Sequence, residues 1–398
     1  MKILILTNKP PYPSKDGGAI ATAGLAAGLA DAGNHVHILA INTPKHFSET
    51  YSNQFNITVE YVFVDTRINI YQAIYNLFFS KEPYNAIRFY HSNYAEKLIG
   101  IIKTNDFDII QIEGPYMFYY LDIIRNNTSV PVSYRAHNIE HEIWQRLQKG
   151  EGNLLKRFYF NTLFKRIKRF EQGIINKYDL LVPIADRDHS ILTQMGNTKP
   201  ALVSPAGINE DILKYKSDLN TVNGLFYIGA LDWKPNTEGL KWFVDRVWPV
   251  LSEKYSNVSF TIAGRNAPKE FVSFLKRKNV NFLGEIDDAY AFIAKEAIQL
   301  VPLFSGSGMR IKIIEGMALG KAIVSTSIGA EGIAATHNRD ILIANNQNEF
   351  IESISRLINN KLFYNEISKS AQNFATNIYS NTRIGLSLSS FYHKYRKV

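Results

Sequence analysis

No cysteine occurs among the 398 residues. Disulfide bonds and thiolate chemistry are thereby excluded, and a reducing compartment is compatible with the chain. Long apolar runs are missing too, and no segment approaches the roughly 20 residues needed to span a bilayer. The first residues, MKILILTNKPPYPS, carry a lysine and an apolar run of only four before polar and proline positions. Such a segment reads as a first strand and not as a signal peptide. With no secretory route indicated, the Asn-x-Ser/Thr matches at Asn56, Asn126 and Asn257 carry no glycosylation argument. A cytoplasmic location is expected, with peripheral contact at the inner face of a membrane as a variant of it. Acids are fewer than bases, 36 against 45, which leaves a net charge of +9 and a pI near 9.3. That balance favours an anionic partner such as a nucleoside diphosphate, an anionic lipid surface or nucleic acid. No base-reading module accompanies the basic residues, so nucleic acid is not expected.

What is present is an ordinary globular composition, 45% hydrophobic and 20% charged, on a chain long enough for two domains that each bury a core. Short apolar runs at Ile3 to Thr7, HVHILAIN, VEYVFVD (59–65), FDIIQIEG (107–114) and VPVSYRAH (130–137) read as strands. The run AIATAGLAAGLADAGNH, rich in Ala and Gly at helical spacing, should pack tightly on a sheet. A stretch from about Asn69 to Lys103, rich in tyrosine and phenylalanine, reads as helical. YDLLVPIA (178–185) and PALVSPAG (200–207) close the first half. The polar run over 209–223 is the best linker. Beyond it GLFYIGAL, VSFTIAG, VNFLGEI, AIQLVPL, KAIVSTS and ILIAN are six further candidate strands. Alternation of this kind predicts two doubly wound parallel sheets.

The stretch 297–332, AIQLVPLFSGSGMRIKIIEGMALGKAIVSTSIGAEG, organises the second half. It reads as strand, glycine-bearing loop, helix from about Arg310 to Leu319, turn at Gly320-Lys321 and strand. In such a unit the loop meets a helix N-terminus, where free amides and the helix dipole favour an anion. Gly306 and Gly308 let the backbone approach a phosphate, Arg310 and Lys312 add two positive charges, and Glu315 shares the helical face of Lys312. A diphosphate with a diol beside it suits these residues. The alternative is a solvated helix end in which Lys312 is simply paired to Glu315.

Two other segments carry chemistry. His137-Asn138-Ile139-Glu140-His141 matches the H-x-x-E-H pattern, which on a helix places two imidazoles one turn apart for zinc, with Glu171 the nearest downstream acid for a third ligand. His137 follows directly on a strand, which argues against a shared helix. Residues 154–170, LLKRFYFNTLFKRIKRF, hold six Lys/Arg, five aromatics and no acid. A basic, aromatic, amphipathic helix of this kind fits either a membrane surface or a core with its cations in solvent.

The string GSGMRIKIIEGMALGKAIVSTSIGAEGI closely resembles the donor-binding segment of the family 4 glycosyltransferases, retaining enzymes of the GT-B fold. YIGALDWKPNTEGLKWF, with Gly229, resembles the opening of the family's nucleotide-binding domain. The resemblance runs over most of the chain. It implies two Rossmann-like domains facing each other across a cleft: an acceptor-side domain over 1–208, the linker over 209–223, a nucleotide-sugar domain over 224–378, and a last helix over 379–398 returning to the first domain.

The resemblance further implies that Gly17 and Gly18 approach donor and acceptor, that Gly229, Gly306, Gly308 and Glu315 hold the donor, and that His137 orients sugar or acceptor hydroxyls. Arg310, Lys312 and His137 would carry catalysis with no covalent nucleophile and no metal or other cofactor. The implied partners are a nucleotide sugar, foremost a UDP- or GDP-sugar, and a saccharide or lipid-linked acceptor in bacterial-type polysaccharide or glycolipid synthesis. Peripheral membrane contact through 154–170 is implied too. Two positions depart from the family: Ala230 where many members have Arg, with Lys234 a candidate substitute, and Ser307 where the first of two paired glutamates stands. A GT-B sugar-nucleotide epimerase and a zinc hydrolase built on HNIEH are the competing readings.

Overall fold

The computed structural model describes residues 1–14, 16–49, 55–215, 222–276, 278–306 and 308–396. Ser307 and part of the expected linker, residues 216–221, lie outside the described residues. The chain forms two units, Met1–Gly207 with Asn381–Val398, and Ile208–Ser380.

The first unit is built on β1 (Lys2–Thr7), β2 (His35–Asn42), β3 (Ile57–Phe63), β4 (Ile109–Glu113), β5 (Val132–Ala136) and β6 (Leu180–Pro183). They lie side by side, all parallel, in the order β3-β2-β1-β4-β5-β6. Parallel strands need crossovers that cover both sheet faces, so these strands read as continuous apolar runs, and Ile3 to Leu6 are fully buried. The crossovers and flanks are α1 (Gly17–Asp31), α2 (Ile70–Phe79), α3 (Tyr84–Ile87), α4 (Ser92–Thr104), α5 (Leu121–Asn127), α6 (Glu140–Gly150), α7 (Leu154–Ile174) and α8 (Asp186–Gln194).

The stretch expected as one helical region, 69–103, is three helices. Ser80 ends α2 in extended backbone, and Pro83 starts α3 where a missing N–H costs nothing. His91 then caps α4, its ring accepting from the Asn93 amide. Residues 200–207 form no strand. They follow β6 through a single bridge from Ala201 to Leu181.

The second unit repeats the plan with β7 (Gly224–Ile228), β8 (Ser259–Ala263), β9 (Asn281–Gly284), β10 (Ile298–Val301), β11 (Ala322–Ser325) and β12 (Leu342–Ile343), in the parallel order β12-β11-β10-β7-β8-β9. Its helices are α9 (Lys234–Arg246), α10 (Trp248–Lys254), α11 (Lys269–Lys276), α12 (Ala289–Lys295), α13 (Ile311–Ala318), α14 (Gln347–Asn359) and α15 (Lys361–Ile378). One continuous core runs from Leu225 and Phe243 to Leu357 and Ile367. Gly239 of α9 is packed so closely that a Cβ there would stand 1.8 Å from the Pro302 carbonyl oxygen, at the start of the loop after β10. We expect Gly239→Ala to destabilise this unit by about 1–3 kcal/mol. It should also weaken whatever the loop binds, and thermal melting with and without ligand checks both.

The last helix, α16 (Asn381–His393), belongs to the first unit, where Ile384, Leu388 and Tyr392 join the core under α1. The small residues of α1 explain the fit. Leu25, Ala26, Leu29 and Ala30 face Ile3, Ile5 and Val36 of the sheet, while Gly28 meets Gly385 so closely that a Cβ on Gly28 would stand 2.1 Å from the Asn381 carbonyl oxygen.

Candidate active site

In each sheet the strand order runs outward in both directions from the first strand, so the chain switches direction between β1 and β4 and again between β7 and β10. The crevice at the carboxyl ends of the strands at such a point is where open α/β sheets bind ligands. Glu113, Arg135 and His137 lie at that edge in the first unit, and Arg310 follows β10 at that edge in the second.

In the second unit the loop after β10 feeds α13, and Arg310 stands at its N-cap position. Arg310 is 8% exposed; its guanidinium lies 5.3 Å from the Trp233 ring centroid and donates to the Gly308 carbonyl. Gly306 adopts a φ of +104°, and a Cβ there would stand 2.6 Å from Trp233 and 2.9 Å from Arg310 Nη2. Glycine is therefore required for the loop to pass beside that pair. Lys312, half-buried two residues on, donates from Nζ to Tyr227 Oη at 2.9 Å, with the ammonium 4.1 Å from the ring centroid. A Cβ on Gly229 would come within 3.4 Å of Nζ, so the glycine keeps the space before the ammonium open.

Glu315 accepts from Tyr290 Oη at 3.0 Å. The two helix residues are thus held by separate tyrosines and not by each other. Lys234 takes no part. It pairs with Glu238 at 3.4 Å on an exposed face, so it does not replace an arginine at Ala230.

Burial, then the neighbouring Arg310 charge, pushes Lys312 down to about 7, and burial pushes the Glu315 carboxyl up against the opposing bond from Tyr290. An anion beside Lys312 would favour its charged form. Binding of a nucleoside diphosphate above pH 7 should therefore take up a proton, and affinity should fall by up to about tenfold per pH unit there. Calorimetry in buffers of different ionisation enthalpy measures the uptake. Lys312→Met should abolish this part, leaving only the titration of the nucleotide itself.

In the first unit β4 ends in Glu113 and β5 ends in Arg135 and Ala136 before His137. Arg135 is fully buried, its Nη1 3.6 Å from Glu113 Oε2 and 3.2 Å from the Ala21 carbonyl oxygen, to which it donates. His137 Nε2 donates to the same carboxylate, and so does Thr22 Oγ1 of α1, at 3.0 Å. Behind it Gln111 donates to Glu113 and accepts from the Tyr392 hydroxyl of α16, which in turn accepts from Ser133 Oγ. Burial would raise the Glu113 carboxyl, but the charges of Arg135 and His137 outweigh it and hold the group at about 2. His137 is therefore fixed by a carboxylate that stays ionised.

One turn before Thr22, the α1 N-terminus carries Gly17 and Gly18. Asp16 caps it by accepting from the Gly18 and Ala19 amides at 3.0 Å, and Lys9 lies 2.5 Å from that carboxylate.

The HNIEH segment does not gather its histidines. His137 is on Glu113, whereas His141 lies on α6 with Nδ1 2.6 Å from Glu171, which also accepts the Glu140 and His141 amides. Glu171 thereby closes the start of α6 from the side of α7. Among the described residues no three His, Cys, Asp or Glu side chains are grouped as ligands for one metal ion.

The residues singled out from the sequence are thus gathered in two places: Gly229, Gly306, Gly308, Arg310, Lys312 and Glu315 in one unit, and Gly17, Gly18 and His137 in the other. Sequence reasoning missed Tyr227, Trp233, Tyr290, Glu113, Arg135 and Thr22. Glu113 and Arg135 did carry a signal, since each is a charge ending an apolar strand at its carboxyl edge. The tyrosines carried none.

Residues 15–211 match the family model described as Glycosyltransferase Family 4, and residues 223–360 match that described as Glycosyl transferases group 1. The chain belongs to the family 4, group 1 glycosyltransferases. Among curated relatives, it is 23% identical over 394 residues to a 44.6 kDa protein in the cps region of Klebsiella pneumoniae, covering 96% of this chain and 97% of that one. It is 28% identical over 183 residues to a glycosyltransferase of Methanocaldococcus jannaschii, covering 44% and 48%.

Among solved structures it is similar to sucrose-phosphate synthase from Thermosynechococcus elongatus, with a TM-score of 0.74, 14% identity and 99% of each chain covered. It is also similar to Anabaena Alr3699/HepE in complex with UDP, with a TM-score of 0.68, 15% identity and 99% and 100% covered. These likenesses show the GT-B glycosyltransferase fold, two parallel α/β sheets of Rossmann type.

Proposed function

We propose that this glycosyltransferase takes its sugar from a nucleoside-diphosphate donor, foremost a UDP-sugar or a GDP-sugar, and passes it with retained configuration to a saccharide or lipid-linked acceptor of bacterial polysaccharide or glycolipid synthesis. The observation that carries the reading is the pair Arg310 and Lys312 at the start of α13, with Arg310 set against Trp233 and Lys312 and Glu315 each bonded to its own tyrosine. Similar structures have been solved with UDP and with UDP-glucose, which supports a uridine donor.

In this reading the α13 N-terminus, the Gly306–Gly308 loop and the two cations take the diphosphate, and Glu315 accepts from the ribose hydroxyls. Arg310 binds phosphate through its planar fork, which Lys312 cannot do. The bond from the anomeric carbon to the donor phosphate oxygen breaks and the bond to the acceptor oxygen forms on the same face. The departing phosphate takes the acceptor proton, so no protein nucleophile is needed. Arg310 and Lys312 neutralise the charge that grows on the diphosphate, the task a metal ion performs in other sites. His137, oriented by Glu113, donates to or accepts from sugar or acceptor hydroxyls.

Calorimetry with UDP, GDP, ADP and dTDP, followed by acceptor-dependent nucleotide release, tests the reading. We expect one uridine or guanosine diphosphate to bind, and His137→Ala to keep that affinity while losing transfer. No binding at millimolar concentration of any of the four would sink it. Nucleotide release without an acceptor, accompanied by isomerised sugar, would point to an epimerase.

A further inference from the structure

Helix α2 reverses the usual arrangement of a surface helix, since Asn76 is its one buried residue. Ile70, Tyr71, Ile74, Tyr75, Phe78 and Phe79 are all exposed, Tyr71 by 82% and Phe79 by 77%. A single exposed apolar side chain needs no explanation, but a contiguous set of six on one helix does. The helix is nonetheless firmly tied. Asn69 caps its start, and Arg166 of α7 donates to the backbone and side-chain oxygens of Asn76 and to the Leu77 carbonyl. Polar contacts hold α2 against α7 and the apolar residues are left outward.

The surroundings are cationic. Over residues 66–90 and 154–170 there are nine Lys/Arg and one acid, Glu82. Lys81, two residues past the end of α2, and Arg166, Arg169 and Lys177 line a groove of about 430 Å³, whose acids are Glu82, bound by Tyr119, and Asp122. The first turns of α7 add exposed Leu154, Leu155 and Phe158 around Lys156 and Arg157. The face of α7 that meets the core, by contrast, is Leu163, Ile167 and Ile174.

We infer that α2 and the exposed first turns of α7 form a surface that lies in the headgroup layer of an anionic membrane. At ten residues α2 is about 15 Å long, too short to cross, and no helix among the described residues is long and apolar enough to do so. An in-plane helix with aromatic residues in the acyl boundary and cations on the phosphates satisfies both halves of the surface. A second copy of the chain would cover the aromatics only by setting one group of nine cations against another, which like-charge repulsion opposes. The inference goes beyond the donor chemistry and does not depend on it.

Vesicle co-sedimentation with the full chain tests it. Phosphatidylglycerol-rich vesicles should bind the protein and phosphatidylcholine vesicles should not, with binding falling as salt rises. The double substitution Phe78→Ser with Phe79→Ser should weaken binding at least about tenfold. Lys156→Gln with Arg157→Gln should weaken it and flatten the salt dependence. Nucleotide calorimetry and melting on the same variants, expected unchanged, show that they are folded. The inference is overturned if the wild type ignores anionic vesicles, or if the α2 variant binds them as tightly. A dimer that the α2 substitutions dissolve, without vesicle binding, overturns it in favour of a second copy.

Discussion

Arg310→Ala should abolish nucleotide binding in the accessible concentration range and lower the rate of transfer by about 10²–10³-fold. The residue stands at the N-cap of α13, 8% exposed, against Trp233 and the Gly308 carbonyl. Its charge is already desolvated and fixed before any ligand arrives, so no reorganisation is needed as charge develops on the leaving group. Arg310→Lys keeps the charge but loses both the fork and the flat contact with Trp233, and should recover only part of the loss. Kinetics of nucleotide release, calorimetry and a melting curve separate these effects. An Arg310→Ala protein that binds and turns over normally would move the donor site away from α13.

Glu113→Ala is expected to cost about 3–5 kcal/mol in the stability of the first unit, a fall on the order of 10 °C in its melting temperature. The loss arises because the guanidinium of Arg135, fully buried, and the ring N–H of His137 would be left with no carboxylate to receive them. Transfer should fail as well, since His137 loses the partner that orients it. Glu113→Gln keeps the shape and should lie between the two. The pH dependence has a definite sign. The folded-state value lies below the ordinary one, so the contribution is complete above pH 4.5 and is lost as pH falls from there toward about 2. Acid unfolding followed by circular dichroism should show a shallower dependence in Glu113→Gln.

Much of this was legible in the sequence, for reasons that can be named. The strand from Ile3, the strand from His35 and the helix after Arg310 each announce themselves within ten residues, by an apolar run or by glycine followed by cations. The ends of elements were less legible. PALVSPAG has the composition of a strand, but its prolines remove ladder donors. The tract 69–103 is interrupted by Pro83, whose effect on the preceding residues outweighs the helical periodicity on either side. HNIEH reads as a metal motif only if both histidines share a helix, and β5 ends between that possibility and α6.

What the sequence alone determined is local: two doubly wound α/β halves, a helix that starts at Arg310 and Lys312, and the glycine-bearing loop that leads into it. These follow from periodicity, turn chemistry and charge within a few residues. The tertiary structure decided which side chains meet. Tyr227 is 85 residues from the lysine it accepts from, Tyr290 is 25 from Glu315, and Tyr392 is 281 from the glutamine behind Glu113. It also left the aromatic face of α2 outside the core. Such pairings depend on strand order and helix packing, whose free energy is shared by the whole unit, so no short stretch of sequence carries them.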